Sequence, residues 1–147
     1  MLTDLLRRLA GEPSPQPLHP DDARLAMAAL MVRVARTDGN YTENERNRID
    51  RVLAETYGLD AGAAAALRGE AEAAEAAAPD TVRFTRLVKS AVPYEHREDV
   101  VEALWRIAAA DGINADEHGF LRLVANLVGV SDLDSGLARQ RALKDPE

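Results

Sequence analysis

The sequence predicts an all-α domain, and three observations support this fold class. Alanine and leucine dominate the composition, and aromatic residues make up only 4% of it. Apolar residues recur with helical spacing, and no segment shows the alternating, β-branched pattern of a strand. A unit of apolar helix, Asp-Gly and second helix also occurs twice, and such a repeat is strong evidence of architecture. We therefore expect an array of seven to eight helices.

Composition also restricts the class of function. The chain has 147 residues, enough for one domain with its own core. It has no cysteine, which excludes disulfides and thiolate metal sites and fits a reducing compartment, so we expect a cytoplasmic protein. The formal net charge of −7 argues against nucleic acid and favours cations or basic protein partners. The longest largely apolar stretch, residues 25–35, is shorter than the about 20 residues of a membrane span, so we expect no integral membrane segment.

The N-terminal part is predicted to precede the main domain. Its apolar residues have helical spacing and predict a short first helix: Leu2, Leu5, Leu6 and Leu9. Residues 11–17 contain three of the seven prolines and predict an extended linker. We therefore assign residues 1–19 to an N-terminal helix and proline-rich linker, and residues 20–147 to a helical domain.

The second, third and fourth helices follow in order. A second helix is expected over residues 20–37, with an acidic first turn and a middle that is apolar nearly all round. A third helix should begin after Thr42 and end at Gly58, which fits a C-terminal cap glycine. The fourth, over residues 60–77, is rich in alanine and glutamate and has few large apolar residues, so we expect it at the periphery.

Four more helices complete the predicted array. A fifth helix should open near Pro79 and end before Pro93, because proline restricts the residue before it. A sixth is expected over residues 95–110, and it is the second central helix because its middle is largely apolar. A seventh is expected over residues 115–128, and an eighth over residues 131–143 with a serine cap.

An internal repeat relates the two central helices. Residues 30–39 align without gaps on residues 103–112, so that apolar matches apolar and Asp-Gly matches Asp-Gly. Aligning Glu45 with Glu117 restores the register after a spacer that is one residue shorter in the second copy. The apolar positions that follow then correspond: Ile49 with Leu121, Val52 with Val124, and Leu53 with Ala125. We therefore predict two pseudo-symmetric helix–Asp-Gly–helix units that pack together.

Each unit places an aspartate at the end of one helix and a glutamate in the first turn of the next. These four candidate metal ligands are Asp38 and Glu45, then Asp111 and Glu117. The glutamates also fit capping boxes, because Thr42 and Asn114 lie three residues before them. An aspartate at a helix C-terminus is disfavoured by about 0.3–1 kcal/mol unless something compensates it. The aspartates therefore either brace the corner through amide hydrogen bonds or hold a divalent cation, and both interpretations stay open.

A calcium EF-hand does not account for the acidic pattern. Asp38, Gly39 and Glu45 match positions five, six and twelve of an EF-hand loop. Val34 and Arg36 would fall on positions one and three, and their side chains carry no oxygen. A cation such as calcium would therefore need a sparser ligand set completed by water and backbone carbonyls.

The sequence gives no support for catalysis. It contains no His-Glu-x-x-His motif, no Gly-x-Ser-x-Gly motif and no glycine-rich phosphate loop. Ser90, Ser131 and Ser135 are interpreted as helix-end and cap residues, and Trp105 lies on an apolar stripe typical of the core. We therefore expect no enzyme.

The repeated pattern of apolar helix, Asp-Gly, spacer, glutamate and second apolar helix resembles the TerB-like family over roughly residues 21–143. The resemblance implies an all-α array of about seven or eight helices and a link to tellurite and other chemical stress. It also implies a metal-binding role for the four acidic residues named above. The resulting expectation is a non-enzymatic stress-response protein that binds a divalent cation and docks to protein partners. The alternative is a purely structural interaction scaffold, and homo-oligomerisation stays open in both.

Overall fold

The computed structural model describes residues 20–37, 39–77, 81–113 and 115–144, with the backbone alone for residues 20, 21, 83 and 111. The described residues form seven α-helices and no strand, so the all-α prediction is confirmed. The predicted N-terminal helix and linker lie outside the described residues. The helices are α1 (Pro20–Ala35), α2 (Glu43–Tyr57), α3 (Ala61–Ala77), α4 (Thr81–Ala91), α5 (Arg97–Ala108), α6 (Ala115–Leu127) and α7 (Asp132–Lys144).

The helix α1 is the centre of the fold. Every side chain from Leu25 to Ala35 is buried except that of Arg33, which is partly buried. Five other helices, α2 to α6, pack against it. A helix that is apolar nearly all round must be surrounded by others, so the sequence pattern of α1 determines where its neighbours lie.

The second central helix is α5, as predicted from its apolar middle. Six of its side chains are buried: Val100, Val101, Leu104, Trp105, Ile107 and Ala108. It packs most extensively against α7 and also contacts α1, α2 and α6. Single 3₁₀ turns, Tyr94–His96 and Ala109–Asp111, precede and follow it. The predicted helix over residues 95–110 is therefore an α-helix with tighter turns at both ends, where such turns are common.

The prediction that the alanine-rich helix is peripheral is wrong. The helix α3 packs against α1 more extensively than any other helix does, and it also packs against α2. Ala64, Ala71 and Ala74 are buried in this contact. Small side chains let two helix axes approach closely, so few large apolar residues are needed for close packing.

An ion pair accounts for Arg33, the one charged residue between Leu25 and Ala35 of α1. The Nε atom of Arg33 donates to a carboxylate oxygen of Glu75 in α3 at 3.0 Å, and its Nη2 donates to the Glu75 carbonyl at 3.1 Å. Arg36 donates to the other carboxylate oxygen. The Arg33 guanidinium also lies 4.7 Å from the ring centroid of Phe84 in α4. Arg33 therefore fixes the positions of α3 and α4 relative to α1.

The predicted helix caps are present. The backbone N–H of Glu45 donates to the Thr42 hydroxyl at 3.1 Å at the start of α2. Gly58 ends α2 in the left-handed conformation, with φ of 65°. The Ser131 hydroxyl accepts from the N–H of Asp134 at 3.1 Å at the start of α7. Local sequence signals therefore determine these helix ends.

Aligned positions of the two predicted units share local features. All three aligned apolar pairs are buried: Ile49 with Leu121, Val52 with Val124, and Leu53 with Ala125. The aligned glycines Gly39 and Gly112 both have positive φ, 78° and 83°. Phe120 and Leu127, two further apolar residues of α6, are partly exposed. The pseudo-twofold relation between the units itself stays a prediction.

The glycine at the end of α2 gives a stability prediction with an internal control. Replacing Gly58 by alanine places a Cβ in a left-handed conformation and should lower the free energy of unfolding by about 1–2 kcal/mol. Gly69 lies exposed within α3 with open space around it, so Gly69→Ala should raise stability by about 0.5–1 kcal/mol. Chemical denaturation of both variants measures the difference, and equal effects would contradict the cap assignment.

Candidate functional site at the acidic corners

The predicted acidic residues belong to two short connections between helices. We call residues 37–45 the first corner and residues 109–117 the second corner. The N–H of Gly39 donates to the Arg36 carbonyl at 3.0 Å, and the N–H of Gly112 donates to the Ala109 carbonyl at 3.3 Å. Both glycines have positive φ, which only glycine adopts freely, so the chain reverses at equivalent points.

Glu45 is buried at the start of α2, with 2% of its surface exposed. Its Oε1 accepts the backbone N–H of Thr42 at 3.0 Å, while its own N–H donates to the Thr42 hydroxyl. These reciprocal bonds are the capping box that the sequence predicts. The structural interpretation of Glu45 is therefore confirmed as a hydrogen-bonding arrangement, and its role as a metal ligand stays a prediction.

Glu117 occupies the equivalent place in the second corner. It lies in the first turn of α6 and is likewise 2% exposed. Its predicted capping partner, Asn114, lies outside the described residues. Asp38 also lies outside them, and Asp111 is described only by its backbone, as the last residue of the 3₁₀ turn. The structure therefore places the two glutamates and leaves the two aspartate side chains as predictions.

The helix α2 contacts both corners. It begins in the first corner, and it packs against the 3₁₀ turn Ala109–Asp111 of the second. Nη1 of Arg48 donates to the Arg106 carbonyl near the end of α5 at 3.2 Å. Arg48 lies one turn after Glu45, so the second corner approaches α2 close to where the first corner ends.

The Arg48 contact also affects electrostatics. The last carbonyls of α5 carry the negative end of the helix dipole, and a guanidinium that donates to one of them offsets that charge. An aspartate at this helix end is disfavoured unless a positive charge compensates it. Arg48, which follows Glu45 within α2, supplies a positive charge from a distant part of the chain.

Two arginines enclose the aromatic residue of the first corner. The guanidinium carbons of Arg36 and Arg46 lie 5.0 Å and 5.3 Å from the ring centroid of Tyr41. Nη1 of Arg46 also donates to the Tyr41 carbonyl at 3.0 Å. Cations at these distances are attracted to the ring face, so the corner is held by side chains as well as by its glycine.

A polar network joins the first corner to α3. The Tyr41 hydroxyl donates to Glu72 at 2.7 Å, and Nη1 of Arg68 donates to the same carboxylate oxygen at 2.9 Å. Nε of Arg68 donates to Asp50 of α2 at 2.6 Å. Burial raises the pKa of Tyr41, and the hydrogen bond to Glu72 raises it further. The hydroxyl therefore stays protonated and acts as a hydrogen-bond donor.

The Glu72 carboxyl is stabilised as an anion by this network. Its burial acts to raise its pKa, but the hydrogen bonds from Tyr41 and Arg68 and the charges of Arg68 and Arg36 outweigh that effect. The net result is a pKa below the usual value of 4.5. The network is therefore a charged brace that requires an ionised Glu72.

A second aromatic cluster adjoins the second corner. Trp105 of α5 is 1% exposed, which confirms its predicted place in the core. Its indole N–H donates to the Ser135 hydroxyl in α7 at 3.2 Å, and its ring lies 5.4 Å from that of His118, edge to face. Ser135, interpreted from sequence as a cap residue, is instead a buried partner of Trp105.

Several residues of these corners were not expected from the sequence. Tyr41 stands out as an aromatic residue in a short polar spacer, and that position was a usable signal. Arg48 and Ser135 carry no such signal, because their partners lie 58 and 30 residues away along the chain. Within the described residues, no group of three or more histidine, aspartate or glutamate side chains has the geometry to hold a metal ion.

Comparison with known families decides where the chain belongs. The model of the family described as Tellurite resistance protein TerB matches residues 24–140. The chain belongs to the TerB family. The predicted resemblance is thereby confirmed over most of its length, and the all-α fold of this TerB-family chain agrees with it. No match was found among curated proteins or among solved structures.

In the described part of this TerB-family chain, no helix combines the length and apolar content that a membrane crossing requires.

The capping box gives a prediction for the first corner. Replacing Thr42 by alanine removes the hydroxyl acceptor of the Glu45 N–H and should lower the free energy of unfolding by about 1 kcal/mol. Thr56→Ala, at an exposed position near the other end of α2, should change it by less than about 0.5 kcal/mol. Urea denaturation compares the two variants, and similar losses would show that the cap is not what stabilises α2.

The Tyr41–Glu72 network predicts a pH dependence. The lowered pKa of Glu72 means that its stabilisation is present above the unfolded value of 4.5 and disappears as pH falls through the folded value. Tyr41→Phe should therefore cost about 1–2 kcal/mol near neutral pH, and this cost should shrink below pH 4.5. The exposed Tyr94 provides the matched variant Tyr94→Phe. A cost of Tyr41→Phe that does not vary with pH would contradict the ionised network.

Proposed function

We propose that this TerB-family chain is a non-enzymatic stress-response protein that binds a divalent cation at its acidic corners and docks to partner proteins. Its ligands would come from Asp38 and Glu45 in the first corner and from Asp111 and Glu117 in the second. The chemical stress in question is the one that gives the family its description, tellurite exposure. The proposed compartment is the cytoplasm.

The observation that carries the cation proposal is the burial of two glutamates at aligned positions. Glu45 and Glu117 are each 2% exposed and occupy aligned positions in the two corners. Each follows a glycine-turned corner that carries an aspartate in the sequence. Buried carboxylate oxygens beside a further carboxylate are the type of ligand that calcium and magnesium prefer.

The position of α2 supports a shared site or two neighbouring sites. Because α2 begins in the first corner and packs against the 3₁₀ turn of the second, the two acidic segments lie on the same side of the protein. The one-residue difference in spacer length makes the corners unequal, so we expect their cation affinities to differ.

The absence of a catalytic role is part of the proposal. The sequence carries none of the hydrolase, zinc or nucleotide motifs, and Glu45 takes part in a capping box. A negative net charge of −7 favours partner proteins with basic surfaces. Exposed apolar side chains on α7, such as Leu133 and Leu137, add area that a partner could cover.

One set of observations favours the alternative of a purely structural scaffold. The capping box already uses Glu45, and guanidinium groups stand at both corners, with Arg36 and Arg46 at the first and Arg48 at the second. The charges of Arg36 and Arg48, near the C-terminal ends of α1 and α5, offset helix dipoles without any metal. In this alternative the same carboxylates maintain the corners and the protein acts only through its partners.

Titration calorimetry separates the two functions. Chelator-treated full-length protein is titrated with calcium, magnesium and zinc in turn, and the same titrations are run on Asp38→Asn with Asp111→Asn. Binding heat that the double variant abolishes is the expected result. A cation at one hundred times its Kd should also raise the free energy of unfolding by about 2.7 kcal/mol, which thermal denaturation detects.

A matched control removes the same charge from elsewhere. Glu70→Gln with Glu95→Gln neutralises two exposed carboxylates outside the corners and should leave the titration unchanged. Heat that is equal in both double variants indicates non-specific association with an acidic surface. No heat with any of the three cations overturns the cation proposal and leaves the scaffold.

A further inference from the structure

A pocket lies between the C-terminal end of α2 and the N-terminal half of α5, away from the acidic corners. Its volume is about 290 Å³, and α1, α2, the segment after α4 and α5 all contribute to it. Most of its walls are apolar: Met27, Tyr57, Val92, Val100 and Ala103. Tyr57 is the last residue of α2, whereas Glu45 lies in its first turn. About 18 Å of helix therefore separates the pocket from the first corner.

The size of the pocket indicates what kind of occupant fits. Pockets that enclose drug-sized ligands have volumes of about 300–1,000 Å³, and this one falls at the lower limit. A groove that accepts an amphipathic helix needs only enough depth for a few apolar side chains, spaced as on one helix face. The pocket therefore fits leucine side chains of a helical segment better than a large free ligand.

The chain contains such a segment at its N-terminal end, residues 1–10. Leu2, Leu5, Leu6 and Leu9 share one face if residues 1–10 are helical, as their spacing predicts. Outside the described fold, residues 11–19 connect this segment to Pro20. Nine residues reach about 30 Å when extended, and Met27 lies about 10 Å along α1 from Pro20. The segment can therefore reach the pocket of its own chain.

Charge at the pocket rim matches the same segment. Asp99 lines the pocket with a side chain that is 77% exposed and lies 3.7 Å from Nδ1 of His96, which also lines it, and Glu95 is exposed in the same 3₁₀ turn as His96. Arg8 would lie beside the leucine face of the segment, and Arg7 nearly opposite it. Opposite charges at the rim give a docked segment an orientation that apolar contact alone does not.

We propose that the N-terminal segment, residues 1–10, docks its leucine face into the pocket formed by Met27, Tyr57, Val92, Val100 and Ala103 of the same chain. The docked segment covers apolar surface on α1 and α5, at the opposite end of these helices from the acidic corners. Docking is independent of cation binding. The proposal stands or fails separately from the function proposed above.

Paramagnetic labelling tests the position of the segment. The chain has no cysteine, so Asp4→Cys gives a single attachment point on the side of the segment opposite the leucines. A nitroxide there should attenuate the methyl signals of Met27, Val92, Val100 and Ala103 in the full-length protein. Methyl signals of Leu67 in α3 serve as the reference. Reducing the nitroxide should restore every attenuated methyl signal of the pocket.

Two double variants separate docking from general attraction. Leu5→Asp with Leu6→Asp places charges on the leucine face and should abolish the attenuation without touching the described fold. Gly11→Asp with Ser14→Asp adds the same charge to the linker and should preserve the attenuation. Equal attenuation in both variants overturns the proposal, because the leucines would then not be the docked residues.

Mixing experiments identify the chain that supplies the segment. Nitroxide-labelled protein of natural isotope abundance is mixed with isotope-labelled protein that carries no nitroxide. Attenuation that is seen when one molecule carries both the nitroxide and the isotope label, and is not seen in the mixture, supports the intramolecular contact. Attenuation of equal extent in the mixture shows that a second copy supplies the segment and overturns the proposal, as does a complete lack of attenuation at the pocket.

Discussion

Burial of α1 on every side is the constraint on which the rest of the fold depends. A helix without a polar face cannot lie at the surface, so five other helices have to cover it. Arg33 is the one interruption in its buried stretch, and a charge in that position must be paired. Glu75 supplies the pair from α3 and Phe84 supplies a ring face from α4, so a single arginine helps to place two helices.

The position of α2 follows from the same packing and connects the two corners. It lies against α1, α3 and α5, with its first turn in one corner and its middle against the end of α5. The glutamate that caps α2 and the arginine that caps α5 are therefore in the same helix. A change in the position of α2 would alter both corners together, which makes this helix the physical connection between them.

The sequence predicts those features that depend on neighbouring residues. The cap at Thr42 and the glycine end at Gly58 can be predicted because a helix end needs particular side chains or a positive φ within a few residues. The capping role of Glu45 follows from the same local rule. The spacing of apolar residues likewise predicts α1 and α5 as the central helices.

Features that depend on residues far apart in the sequence were not predictable. The alanines of α3 give a weak apolar signal in the sequence, although they pack closely on α1. They contribute to packing because their small side chains let the two helices approach each other. Arg48 and Ser135 look like ordinary surface and cap residues until the fold brings their partners to them. The family's acidic pattern was recognisable, but recognition of a carboxylate does not specify whether a hydrogen bond or a cation satisfies it.

The single tryptophan gives the second corner a spectroscopic signal of its own. Trp105 is the only tryptophan of the chain, and it contacts His118, which follows Glu117. Tyr41 lies in the first corner, between two guanidinium groups and two residues after Gly39. Indole emission therefore reports on the second corner without any label, because the chain has no other tryptophan. Phenol absorbance combines Tyr41 with Tyr57 and Tyr94, so a signal is assigned to the first corner only in a chain in which those two are phenylalanine.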